Sequence, residues 1–339
     1  MTKKYSIAVV GATGNVGRHI INTLAEREFP VGQIFAVASE KSIGKKVSFG
    51  DETLTTSSIK DLDFSQIDIA FFCAGSAVSA QYAKAAANAG CIVIDKASFF
   101  RLQDDIPLIV PEVNVINLQQ AKIGTGMIIA SPNCCVIPLC VALKPLDNAV
   151  KIERIVVSTY QSVSGAGKAA MDELYIQTKA KFVFEEIPAR ALPAPIAFNL
   201  IPHIGPFRPD GYSDEEYKIQ AEVKKILREN IDVNVTAVRV PVFVSHSLSV
   251  NIDFADELDA KEAQELLSEA EGVIVYSIDN EIKYAMPTDV VEDDAVFVSR
   301  IRNQIGNKKN LSMWICADNL RKGAALNAVQ IAEYVIGLA

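Results

Sequence analysis

The chain has 339 residues, half of them hydrophobic and 22% charged, with a net charge of −8. That length predicts two domains, the composition is that of a soluble globular protein, and no apolar run approaches the roughly 18 residues of a membrane span. Nucleic-acid binding needs clustered cations, and none are present; three scattered histidines without a Cys-x-x-Cys pair argue against a structural metal.

The N-terminal stretch "MTKKYSIAVVG" runs from two lysines through a short apolar segment into a glycine turn, so it reads as a first strand and not as a secretion signal. The expected location is therefore cytoplasmic, with reduced cysteines. Strands are predicted at 6–11, 34–39, 67–75, 91–95 and 127–133, with helices at 15–28 and 77–89 between them. Continuous apolar strands alternating with helices imply a Rossmann-like, doubly wound parallel sheet. A helix is predicted through "CVIPLCVALKPL". Beyond about residue 150 the strands lengthen and alternate (153–163, 235–254, 295–303), with charged amphipathic helices near 213–229 and 259–270. This second region is expected to be an inserted α+β domain with a largely antiparallel sheet. The segment 183–211 holds six prolines and is predicted to be a long ordered loop. The last stretch is a helix, with apolar residues at 325, 326, 329, 332 and 336.

"VVGATGNVG" places Gly11, Gly14 and Gly17 between the first strand and the first helix, where glycines permit a tight turn and close approach of a pyrophosphate. The spacing departs from G-x-G-x-x-G, and a turn kept for packing is the alternative. Strand two ends "ASEKS". Glu40 suits a ribose diol, whereas Lys41 with Ser39 and Ser42 suits a 2′-phosphate, and the balance favours NADP.

"SPNCCVIPLC" puts Cys134 and Cys135 after a strand end and before a helix, where the dipole lowers a thiol pKa. The pair reads equally as a nucleophile or as two packed thiols. His246 is the best proton-handling partner, yet alternation places it with Val242 and Val244, as a core residue would be. Arg239, seven residues upstream, would face the other side of an unbroken strand, unless Pro241 or a bulge interrupts it.

"GATGNVG", "FFRLQDDIPLIVPEVN", "SPNCC", "STYQSVSGAGK", "PIAFNLIPHI", "RVPVFVSHS" and "DNLRKGAALNAVQIAE" occur in this order across essentially the whole chain. Together they closely resemble the bacterial aspartate-β-semialdehyde dehydrogenases. The resemblance implies that Cys134 is the nucleophile and His246 the acid/base, with Cys135 where Ser or Thr commonly stands. It implies substrate contacts from Asn133, Gln161 and Arg239, the last taking the α-carboxylate. Glu215 contacts the amino group, and Arg101 and Lys218 bind phosphate. Cofactor contacts fall to the glycine turn (Gly11, Thr13, Gly14, Asn15, Val16, Gly17) and to Lys41, Ser42, Ser164, Gly165 and Asn319. The implied reaction is attack of Cys134 on 4-phospho-L-aspartate, loss of phosphate, hydride reduction of the thioester by NADPH, and collapse to the aldehyde with His246 supplying the proton. Lys96 stands where the family often has Asn, and is expected to point to solvent rather than contact phosphate.

The expected architecture is an NADP-binding domain of 1–132 plus 318–339, and a catalytic and dimerisation domain of 133–317. The resemblance implies a homodimer, with small molecules as the other partners and no metal, membrane or nucleic acid. The rival readings are an N-acetyl-glutamyl-phosphate reductase, a non-catalytic dinucleotide sensor and a structural protein of the same fold.

Overall fold

The structure, a computed structural model, describes residues 3–338. Its first strand, β1 (Tyr5–Val10), is buried at every position but Ser6 and leads through the glycine turn into α1 (Asn15–Glu26). There follow β2 (Val31–Ala38), a small hairpin of β3 (Lys46–Phe49) and β4 (Glu52–Thr55), and the two-residue β5 (Ser57–Ser58). Then come β6 (Ile69–Phe72), α2 (Ser76–Asn88), β7 (Ile92–Asp95), α3 (Pro111–Asn114) and β8 (Met127–Ala130). The strands pair in the order β5-β2-β1-β6-β7-β8, all parallel. Every residue of β6 and β7 is buried, because helices cover both faces of such a sheet. Strand β6 is shorter than the predicted 67–75, since the chain turns away at Gly75, which has φ +89°.

The second unit begins with α4 (Val136–Ala149), β9 (Ile152–Gln161) and α5 (Lys168–Lys181). After the proline-rich loop come α6 (Asp214–Ile226), β10 (Asp232–Arg239), β11 (His246–Phe254), α7 (Ala260–Ser268), β12 (Val273–Tyr276), β13 (Val296–Gln304) and β14 (Asn307–Ala317). Its sheet runs β10-β9-β11-β14-β13-β12. The three central pairings are antiparallel and the two outer ones parallel, so the sheet is mixed rather than simply antiparallel. A capping box between Ser213 and Glu216 starts α6.

The stretch read as one strand over 235–254 is two. Pro241 supplies no ladder donor, and Ser245 adopts φ +76°, so the chain leaves the sheet after Arg239 and re-enters at His246. Helix α5 and strand β14 were not foreseen: α5 has a mixed polar sequence, and the first half of β14 is charged and exposed. The loop over 183–211 is ordered by buried side chains of α5. Glu173 accepts from the amides of Arg190 and Ala191, and Gln177 from those of Ile196 and Ala197. Paired backbone bonds between Ile201 and Arg239 (3.0 and 2.8 Å) pin its far end to β10.

From Ala324 the chain belongs again to the first unit, which also holds the residues through Asn133. There α8 (Leu326–Ile336) contributes Ala328, Val329, Ile331 and Ala332 to the core of Ile7, Val9, Ile20 and Leu24. Arg27 also forks onto Glu333 at 2.6 and 2.9 Å.

Candidate active site

Strand β9 lies between β10 and β11, and its last residue is the hub of the site. Gln161 is in register with Arg239 on one side and with His246 on the other. Residues paired across neighbouring strands point to the same face, so three residues distant in sequence form one row. The break at 240–245 makes this possible by resetting the alternation that would have turned Arg239 and His246 apart.

Cys134 precedes Cys135, the N-cap of α4, by one residue. Its sulfur, the Cys135 sulfur and a ring nitrogen of His246 all lie within 4.8 Å of one another. The two thiols differ. Cys134 is partly accessible, whereas Cys135 is fully buried and accepts a hydrogen bond from Gln161 Nε2 at 2.8 Å. Burial pushes the Cys135 thiol well above its ordinary pKa, and its hydrogen bond and charge interaction with Cys134 push it further. Cys135 is thus held as a neutral, packed thiol, whereas Cys134 is the one of the pair that a reactant can reach. Cys140, inside α4, is likewise pushed up by burial.

His246 is buried, and its tautomer follows from its neighbours. The Ser162 amide, which can only donate, points at Nδ1 from 3.0 Å, so Nδ1 is the acceptor and the proton sits on Nε2. Ser162 Oγ lies 3.1 Å from the same nitrogen. Ser162 is held in turn by Ser164 Oγ at 3.0 Å and by Asn319 Oδ1, which also accepts from the strained Ser245 amide at 2.8 Å. A cation bound at Nε2 would force the proton onto Nδ1, against that amide. The arrangement therefore suits a proton donor better than a metal ligand.

Two buried polar atoms of the row have no hydrogen-bond partner among the described residues: Gln161 Oε1 and His246 Nε2. Such atoms cost about 1–3 kcal/mol each when unmet, so a pair at one site marks a place where a ligand supplies the partners. Gln161 Nε2 also donates to Glu215 at 2.9 Å, and Arg239 Nη1 donates to the Ser162 carbonyl at 2.7 Å. Burial pulls the Arg239 pKa down, and charge interactions with Glu215 first, then with the Cys134 and Cys135 side chains, oppose this. Guanidinium remains charged throughout, so Arg239 is a buried cation facing the pocket. A cavity of about 400 Å³ opens beside it.

Two glycines keep the site open. A Cβ on Gly165 would lie 3.1 Å from Arg239 Nη1 and 3.2 Å from His246 Nε2, and one on Gly323 would lie 3.0 Å from the Cys134 carbonyl oxygen and 3.2 Å from Cys134 Cβ.

A model for the semialdehyde dehydrogenase NAD-binding domain matches residues 6–121, and one for the semialdehyde dehydrogenase dimerisation domain matches residues 143–322. The aspartate-semialdehyde dehydrogenase of Rickettsia bellii is 59% identical over 336 residues, covering 99% of both chains. The chain belongs to the aspartate-semialdehyde dehydrogenase family. The Aquifex aeolicus relative is 46% identical, with 98% of each chain covered. In three dimensions the crystal structure of aspartate semialdehyde dehydrogenase II from Vibrio cholerae superposes with a TM-score of 0.94 at 42% identity, covering 99% of both chains. A second structure of that Vibrio protein is described as complexed with ASA. The protein is accordingly an oxidoreductase with a nicotinamide dinucleotide cofactor.

The first unit fits such a cofactor. Side chains on Gly11 (φ +99°) or Gly17 would drive into backbone, at 2.8 Å from Cys73 and 2.2 Å from Gly11. Exposed Gly14 is the N-cap of α1 and offers no side-chain cap, and the helix's first turn carries no acid. That leaves the helix entrance suited to an anion at the switch point between β1 and β6. Thr13, Asn15 and Val16 belong to the same turn and helix start. After β2, Glu40 is engaged by Lys60 at 2.6 Å, and Lys41 and Ser42 follow on a short 3₁₀ turn.

Among the remaining predicted residues, Lys218 on α6 pairs with Asp214 at 3.8 Å. Asn133 is buried, and Arg101 donates from Nη2 to the Lys96 carbonyl at 2.6 Å. Lys96 does not point to solvent as expected. Its ammonium donates to the Pro132 carbonyl at 2.9 Å and to Ser131 Oγ at 3.2 Å, because the pairing of β7 with β8 sets Lys96 beside the residues that follow β8. Ser164 and Asn319 are buried in the His246 network, a role that sequence reasoning did not assign them. Ser162, Ser245 and Gly323 were missed altogether; only the neighbourhood of Gln161 and His246 hinted at the two serines.

Proposed function

We propose that the enzyme reduces 4-phospho-L-aspartate to L-aspartate 4-semialdehyde with release of phosphate, reversibly and with NADPH, in amino-acid biosynthesis. The observation that carries this is the Gln161–Arg239–His246 row, with its two unmet polar atoms, beside Cys134. Cys134 Sγ attacks the acyl carbon, the carbon–oxygen bond to phosphate breaks, and a thioester remains. The reduced nicotinamide supplies the hydride. His246 Nε2–H donates to the oxygen of the tetrahedral adduct, and as the carbon–sulfur bond breaks the proton returns to Nε2, leaving the thiolate and the aldehyde.

Arg239 takes the α-carboxylate by a two-point fork, and Gln161 and Glu215 receive the ammonium group. Arg101 and Lys218 hold the phosphate, with Asn133 adjoining the nucleophile. The glycine turn, Gly11 to Gly17, holds the cofactor pyrophosphate, and Ser164, Gly165 and Asn319 serve the nicotinamide side. Lys41 and Ser42 receive a 2′-phosphate, and the engagement of Glu40 by Lys60 supports NADP over NAD. The match to a dimerisation-domain model supports a homodimer, and no described helix is long and apolar enough to cross a membrane. We place the enzyme in the cytoplasm.

Phosphate-dependent reduction of NADP by L-aspartate semialdehyde tests this reading. The expected kcat/KM is at least about tenfold higher than with NAD, and N-acetyl-L-glutamate semialdehyde should be inert. Turnover with the acetylated substrate alone would replace the assignment with the N-acetyl-glutamyl-phosphate reductase reaction, whose acylated amine has no use for Glu215.

A further inference from the structure

The motif "PIAFNLIPHI" carries, next to its last position, a histidine that the mechanism above does not use. His203 stands two residues beyond Ile201, whose backbone is bonded in both directions to Arg239. That pairing carries the histidine to the cavity of about 400 Å³ that Arg239 lines. The other walls, including Ala166, Leu192, Ile204 and Gly205, offer no charged side chain. The imidazole ring stacks on Phe207 with centroids 4.0 Å apart and planes 9° apart, so its orientation is fixed. Its Nε2 is buried and has no hydrogen-bond partner among the described residues.

We propose that His203 is a specificity residue whose Nε2–H donates to the substrate carboxylate held by Arg239. The inference rests on the role proposed for Arg239 above. A carboxylate has about four lone-pair positions, so a bidentate guanidinium leaves room for a third donor. An apolar pocket with an arginine fork and one fixed imidazole donor suits a small planar anion. The Phe207 stack supplies the rigidity that makes such a donor selective at little entropic cost.

Steady-state kinetics of His203→Phe and His203→Gln test the proposal. Phenylalanine keeps the stack and loses the donor, whereas glutamine keeps a donor and loses the stack. With NADP and phosphate, His203→Phe is expected to raise KM for L-aspartate semialdehyde about tenfold, as for one lost bond to a charged group. Its kcat should stay within about twofold of native and its KM for phosphate should not change, while His203→Gln should recover part of the loss. With 3-aminopropanal, which lacks the carboxylate, native and His203→Phe should have equal kcat/KM. A native KM in His203→Phe, a shift in phosphate KM instead, or the same loss with 3-aminopropanal would overturn it. Arg239→Lys separates the two layers. An unchanged semialdehyde KM there overturns the Arg239 assignment and this proposal together. A raised KM there, with a native KM in His203→Phe, overturns the His203 assignment alone.

Discussion

Cys134 and Cys135 are neighbours in the chain with opposite environments. One is partly open beside His246; the other is buried, bonded by Gln161 and held neutral. The sequence left them equivalent, since a strand end followed by a helix activates either thiol. Only the side-chain directions at the N-cap, and distant Gln161, separate them. Gly323 was still less legible, because its requirement comes from a contact with Cys134 nearly 190 positions away in the chain. A methyl group there must move the Cys134 backbone by several tenths of an ångström. Gly323→Ala is expected to fold and to lose at least about tenfold in kcat, as near-attack geometry is sensitive to such shifts. Circular dichroism and turnover together check this, and native kcat in the variant would show that the contact relaxes harmlessly.

At the scale of elements, the parallel sheet was readable because strands covered on both faces are continuous apolar runs, and β6 and β7 have that character. Strand β14 was not, since its exposed leading half dilutes the pattern. The break between β10 and β11 was signalled by Pro241, but its consequence required the register to Gln161. One strand end carries a further prediction. Strand β7 closes on Asp95, whose carboxyl is pushed up to about 6 by burial, against hydrogen bonds from the Ala97 amide and Ser79 and the charges of Arg101 and Lys96. The folded chain therefore binds this proton more tightly than the unfolded chain does. Asp95 is neutral and costs nothing near pH 4; its ionisation subtracts stability as pH rises toward and through 6. Asparagine keeps an acceptor for Ser79 and Ala97 and cannot ionise. Relative to native, Asp95→Asn should gain up to about 3 kcal/mol between pH 4 and pH 7, read as a rising difference in thermal midpoint. A difference that stays flat with pH would contradict the buried-acid account.

For the whole molecule, the sequence disclosed two regions and the order of their motifs, and the resemblance assigned roles that patterning alone could not. Local periodicity even argued against the meeting of Arg239 and His246 that the mixed sheet produces. In the proposed mechanism one thiol, Cys134, is served by residues scattered over more than a hundred positions. The direct test is phosphate-dependent oxidation of L-aspartate semialdehyde by Cys134→Ser and Cys135→Ser, alongside the native enzyme. Cys134→Ser should lose at least about a thousandfold in kcat, while Cys135→Ser, whose hydroxyl can still accept from Gln161, should retain substantial turnover. Equal loss in both variants, or activity surviving in Cys134→Ser, would contradict the account.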